Sequence, residues 1–230
     1  MRNSIWIFMS VLLLSGIVLA EGSICGTVKF EGQAPTMKSI KMEADPICST
    51  KHDTPLTFEY LVVGEGNTMA NIFVRVLNPP KGDYATPETI AVIDQKGCRY
   101  SPHVQGVMVN QQIEIHNPDG TLHNVHALPK VNKEFNQAMP KFRKKIVKKF
   151  DKEEFMITFK CDVHPWMNCY VGVSSHPFFA VTKEDGKFEI AGLPPGTYEI
   201  EAWHEKLGTQ TVSVTVEDDT SVNADFSFSL

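Results

Sequence analysis

Positive charge, cysteine and long apolar runs are all scarce in this chain, and each shortage excludes something. Its 22 Lys and Arg stand against 27 Asp and Glu, a formal charge of −5. That balance lacks the electrostatic footprint of a nucleic-acid binder and disfavours a role built on anionic membranes. Five cysteines in 230 residues are too few for a disulfide-built miniprotein. The odd count leaves at least one thiol free, ligated or paired outside the chain. The apolar run Ile5 to Leu19 falls short of the roughly 20 residues that span a bilayer. There is no internal repeat, no low-complexity tract and no long helical stripe, which excludes solenoids and coiled coils. What is present, 42% hydrophobic and 21% charged residues, is the composition of a folded globular protein of one or two domains.

The apolar run follows Arg2 and ends at Val18-Leu19-Ala20, small or modest side chains at the positions a signal peptidase reads. Residues 1–20 are expected to be a signal peptide cleaved after Ala20, an uncleaved N-terminal anchor being the alternative. Export, to the periplasm or the extracellular space, makes disulfides available. No stable membrane insertion is expected after cleavage.

From Cys25 onward, short stretches alternate apolar and polar residues, as in Ala70–Leu77, Gln112–His116, Glu154–Lys160, Thr197–Trp203 and Thr209–Val216. Gly, Pro, Asn and Asp clusters separate them, so the body reads as all-β, one or two sandwiches. Asn132–Met139 is expected to form a short helical turn limited by Pro140. Asp185-Gly186 between Phe179–Thr182 and Lys187–Ile190 carries a hairpin-turn signal. Between Lys130 and Lys152, nine Lys or Arg residues face only Glu134 and Asp151. Such a run reads either as a solvated face or as a docking patch for an acidic partner.

Two segments carry chemistry: His123-Asn124-Val125-His126, and Cys161-Asp-Val-His164-Pro-Trp-Met167. The second sets a thiolate, an imidazole and a thioether three residues apart on one short loop. That mixture of soft and borderline donors selects copper over magnesium or calcium, and a thioether is a poor zinc ligand. A buried structural cluster is the plain alternative. His123 and His126 lie three apart on a strand and face opposite sides, so only one can point at the loop.

The loop Cys161, His164, Pro165, Trp166, Met167, together with His123-Asn124-Val125, resembles the cupredoxins, in particular their short amicyanin-type and plastocyanin-type ligand loops. The likeness spans residues 105 to 175. It implies a Greek-key β-sandwich that holds one type 1 copper ion by His123, Cys161 and His164, with Met167 as the weak axial donor. It further implies that Asn124 ties the two ligand segments together, its amide reaching the Cys161 sulfur, and that His164 stands at the site edge as the route for electrons. Val163 replaces the proline that often precedes the loop histidine. If Cys161 binds copper, Cys25, Cys48, Cys98 and Cys169 remain, with three possible connectivities. Cys48–Cys98 with Cys25–Cys169 is the preferred pairing.

Residues 178–230 resemble the carboxypeptidase regulatory-like, or transthyretin-like, β-sandwich, through Thr182, Gly186, Phe188, Ile190 and Gly192-Leu-Pro-Pro-Gly196-x-Tyr198. Some 50 residues are short for a complete sandwich. The segment Cys25–Phe30 resembles that module's first strand, so strands from 24–80 are candidates to complete it. The expected layout is thus a leader at 1–20, a cupredoxin-like domain at 21–177 and the smaller segment at 178–230. The functional expectation is an exported one-electron carrier rather than an enzyme, served by a redox partner such as a c-type cytochrome or an oxidoreductase. The alternative is a copper-binding or carbohydrate- or protein-interaction module in which redox is incidental. No His-x-His pair is present to build further copper centres, and no serine sits in a Gly-x-Ser-x-Gly context.

Overall fold

The computed structural model describes residues 21–230, so the expected leader at 1–20 lies outside the described residues. Among these, no helix is long and apolar enough to cross a membrane. In chain order the strands are β1 (Gly22–Phe30), β2 (Phe73–Val76), β3 (Ala91–Asp94), β4 (Val104–Met108), β5 (Ile113–His116), β6 (His123–Leu128), β7 (Phe135–Met139) and β8 (Lys145–Lys148). They continue as β9 (Glu154–Lys160), β10 (Asn168–Ser174), β11 (Phe179–Val181), β12 (Lys187–Leu193), β13 (Gly196–His204), β14 (Gly208–Val216), β15 (Ser221–Asn223) and β16 (Phe226–Phe228).

They form two sandwiches, each with its own core. In the first, the sheet β3-β5-β8 faces the sheet β4-β10-β9-β6-β7. Alternation sets the faces: Ile113, Ile115 and Ile146 point inward against Val125, Ala127, Ile157, Phe159 and Val171, while Glu114 and Val147 point out. In the second, β1 with β12, β15 and β16 faces β11-β2-β13-β14. Its core joins Ile24, Val28 and Phe30 to Ile190, Ile200, Phe226 and Phe228. The second sandwich is therefore built from both ends of the described chain. β1 supplies its central strand, pairing antiparallel with β12 and parallel with β15 and β16. Residues 61–76 also pack there, so only the C-terminal side of the first sandwich ends near residue 177.

Two local expectations are corrected. Residues 135–139 form a strand, not a helical turn, because Phe135–Met139 completes the sheet edge against β6, with His123 opposite Met139. The Asp185-Gly186 turn forms, with Gly186 at φ +67°. The strands it joins do not pair with each other: β11 goes to β2 and β12 to β1, so the turn is a corner between sheets.

The sandwiches meet where β4 and β10 pass β2 and β11. Gly106 allows the approach, since a Cβ there would lie 2.4 Å from Phe179 Cε2. Across the rest of the contact, Tyr170 and Phe155 pack edge-on against Trp203.

Candidate metal centre

Cys161 to Met167 is the whole connection between β9 and β10, because Lys160 pairs directly with Asn168. The Cys161 amide donates to the Met167 carbonyl at 3.0 Å and the Met167 amide to the His164 carbonyl at 2.9 Å, which curls the loop tightly. His123 opens β6 and points inward, fully buried. Its Nδ1 lies 2.9 Å from His164 Nδ1, and His164 Nδ1 lies 3.8 Å from Cys161 Sγ. Met167 is buried at the close of the loop, within the core that includes Cys161.

His126 takes the other face of β6, as the strand period requires, and bonds Asp162 and Glu134 at 3.0 and 2.9 Å. His52 bonds the Gly97 carbonyl, His103 pairs with Glu205 and His116 with Glu114, so each has a structural partner.

Asn124 joins the ligand segments. Its Oδ1 accepts the amides of Asp162 and Val163 at 2.6 and 3.3 Å, its Nδ2 donates to Asn136 and Asp162, and its own amide lies 3.5 Å from Cys161 Sγ. The amide that Val163 has in place of a proline ring nitrogen is thus used. Burial pushes the Cys161 thiol up, but hydrogen bonds with His123, His164 and the Asn124 amide outweigh it and bring the pKa down to about 6. Burial opposes charge on both imidazoles as well. Asp119 and Cys161 nonetheless raise His123, and Cys161 and Asp45 raise His164. The cluster therefore holds a thiolate opposite imidazole nitrogen at ordinary pH.

The donor set fits a single soft-to-borderline ion. A centre about 2.0–2.3 Å from each donor spans edges of this length, and one thiolate with two imidazoles is the trigonal set that suits copper.

Sequence reasoning missed what stands behind the imidazoles. His164 is 2% exposed and does not stand at an open edge. A capping segment, residues 39–57, covers it. Asp45 Oδ2 bonds His164 Nε2 at 3.0 Å, and Cys48 Sγ lies 3.6 Å from the same nitrogen. Asp119 Oδ2 bonds His123 Nε2 at 3.1 Å. Asp119, four residues before His123, was within reach of a pattern search; Asp45 had only its turn signal before Pro46.

Cys48 and Cys98 form a disulfide that staples the cap to the β3–β4 connection. The expected Cys25–Cys169 pair is not formed. Cys25 lies on β1 of the second sandwich beside Ser221, whereas Cys169 is buried in the first core on β10, so the two thiols belong to different sandwiches. Burial raises the Cys169 thiol well above its ordinary range and leaves it inert. Three thiols are free rather than one.

Residues 170–229 match the carboxypeptidase regulatory-like domain family. Comparison with curated proteins by sequence gave no match. Among solved structures, a mutant amicyanin in its Cu(I) form is 19% identical, the likeness covering 44% of this chain and 98% of that one at a TM-score of 0.34. A purple cupredoxin from Nitrosopumilus maritimus is 23% identical, covering 36% and 99%, at a TM-score of 0.31. The reduced state of a second amicyanin mutant is 22% identical, covering 44% and 99%, at 0.34.

Proposed function

We propose that this protein is an exported mononuclear copper protein of type 1 character that carries single electrons and is not an enzyme. The observation that carries this reading is the convergence of two imidazole Nδ1 atoms, 2.9 Å apart, on a buried cysteine whose pKa is drawn down to about 6. Copper held by His123, Cys161 and His164, with Met167 at the loop's close, would supply a one-electron Cu(II)/Cu(I) couple. The chain's own part is rigidity. Asn124 fixes the loop to β6, the loop closes on its own backbone, and the cap excludes water from the imidazoles. Donors locked in this way change little when the charge of the ion changes, which suits electron transfer more than catalysis.

The Cys48–Cys98 disulfide supports an oxidising compartment and hence export. The basic stretch 130–152 is the proposed docking surface for an acidic redox partner. Its exposed Phe142, between Lys141 and Arg143, lies on the loop after Met139, which pairs with His123. An exposed aromatic among cations beside a ligand strand suits such a contact.

The test is Cu(II) addition to the metal-free protein with visible absorption and voltammetry. A strong thiolate-derived band that bleaches on reduction and is lost in Cys161→Ser is expected. Copper binding with neither band nor reversible couple would sink the carrier reading and favour the interaction-module alternative.

A further inference from the structure

Both imidazoles of the site are backed by a carboxylate, and the two carboxylates are held alike. Asp119 accepts the amides of Gly97 and Cys98 at 3.1 and 2.8 Å and pairs with Lys51 Nζ at 3.1 Å, besides bonding His123. Asp45 accepts the amides of Ile47 and Cys48 at 2.8 and 3.0 Å and the Thr121 hydroxyl at 3.0 Å, besides bonding His164. Each carboxylate thus takes the backbone amide of one half-cystine, and the Cys48–Cys98 bond locks the two clusters together. Neither acid is free to turn away from its imidazole. These contacts bridge long stretches of chain, 119 residues for Asp45 and His164.

An ionised carboxylate can only accept a hydrogen bond. It therefore requires the proton on Nε2 and leaves the lone pair on Nδ1, the atom each ring turns toward Cys161. Its charge acts as well. A thiolate and two carboxylates surround the site, and Lys51 is the cation bonded to this shell. Excess negative charge at short range favours the more positive oxidation state of a bound ion.

We propose that Asp45 and Asp119 are positioning residues that hold His164 and His123 as Nε2–H tautomers and bias the site toward Cu(II), lowering its reduction potential. The proposal rests on the copper reading above for its redox half and not for its tautomer half.

The experiment has two arms. In the first, nitrogen-15 NMR of the metal-free protein reads whether Nε2 of each ring carries a proton. Both Nε2 atoms are expected protonated in the native chain, with one further proton shared across the 2.9 Å Nδ1···Nδ1 contact. Asp45→Asn is expected to mix the tautomers at His164 alone, and Asp119→Asn at His123 alone. Unchanged rings in both variants would overturn the positioning role. In the second arm, voltammetry of the copper-loaded protein reads the potential. Each Asn variant is expected to shift the Cu(II)/Cu(I) preference at least tenfold toward Cu(I), a rise of about 59 mV for one electron. Lys51→Gln, which removes a partly exposed cation and leaves both acids in place, is expected to move the potential the opposite way. Potentials that stay put, or move in one direction in all three variants, would overturn the electrostatic bias. A native protein with no reversible couple would instead overturn the carrier reading, and the NMR arm would still decide the role of the acids.

Discussion

Asn124 shows how much a single side chain organises here. It satisfies two loop amides, donates to Asn136 and Asp162, and sets its own amide against the thiolate. Asn124→Ala would strand the Asp162 and Val163 amides at the edge of the core, each costing about 1–3 kcal/mol if water does not replace the bond. The expected outcome is a protein less stable by about 2 kcal/mol in denaturant titration that surrenders copper to a chelator at least tenfold faster. Unchanged chelator kinetics would separate Asn124 from the metal loop. That a histidine, a cysteine and a second histidine would meet was legible from the likeness of the two segments to the cupredoxin ligand loops, period-2 alternation adding only that His123 and His126 could not both face the site. The carboxylates behind them were not. Asp45 reaches His164 from 119 residues away, a distance across which local pattern carries no information.

At the scale of elements, the cap over the site depends on a covalent clasp. A cross-link at a sequence separation of 50 removes on the order of 4 kcal/mol of denatured-chain entropy in the loop-closure estimate. Replacing both Cys48 and Cys98 by Ser is expected to lower stability by up to about that amount. Amide exchange should rise at residues 45–51 well before it rises in β9 and β10, since Asp45, Lys51 and His52 still hold the cap by bonds that water can replace. Equal protection in both regions would show that the disulfide is dispensable to the cap. The β13–β14 turn carries a second dependence. His204 is buried and neutral, and its Nδ1 accepts the amides of Lys206 and Leu207 at 3.2 Å each. Burial is the main cause that brings its pKa down to about 4. A depressed folded pKa gives stability that is fully present above the ordinary histidine value and is lost as pH falls from about 6.5 toward about 4. The loss is on the order of 3 kcal/mol by linkage, and His204→Asn, which keeps an acceptor without a titrating ring, is expected to flatten the melting temperature over that window. Most strands were legible from alternation. The misread one, Phe135–Met139, is an edge strand whose register is set by β6 rather than by its own pattern.

At the scale of the molecule, two sandwiches that each own a core meet along one junction. The turn signals and the two motifs disclosed both modules. The likeness of Cys25–Phe30 to the second module's first strand pointed to β1, but not to its central place there, because parallel pairing with β15 and β16 joins residues nearly 200 positions apart. The junction combines close packing at Gly106 with a buried polar bridge. His103, just before β4 of the first sandwich, pairs with Glu205 from the second, and Tyr170 donates to the same carboxylate at 3.0 Å. Burial alone would raise the Glu205 carboxyl, but the His103 and Tyr170 hydrogen bonds draw it below its ordinary value, so it stands as a charge with partners on the opposite module. Removing one member of such a buried hydrogen-bonded pair leaves the other unsatisfied, at a cost of about 1–3 kcal/mol. Glu205→Gln is therefore expected to uncouple the modules without touching a copper donor. Hydrogen exchange should then show β2 and β13 opening at lower denaturant than β9 and β10, where the native protein opens them together. His103→Gln combined with Glu205→Gln should recover part of the loss, because the two amides can then satisfy each other by hydrogen bonding. Coincident opening in Glu205→Gln would place the coupling in the apolar contacts of Phe73, Phe179 and Gly106 instead, and Gly106→Val, which forces a side chain into Phe179, would then be the variant that splits the transition.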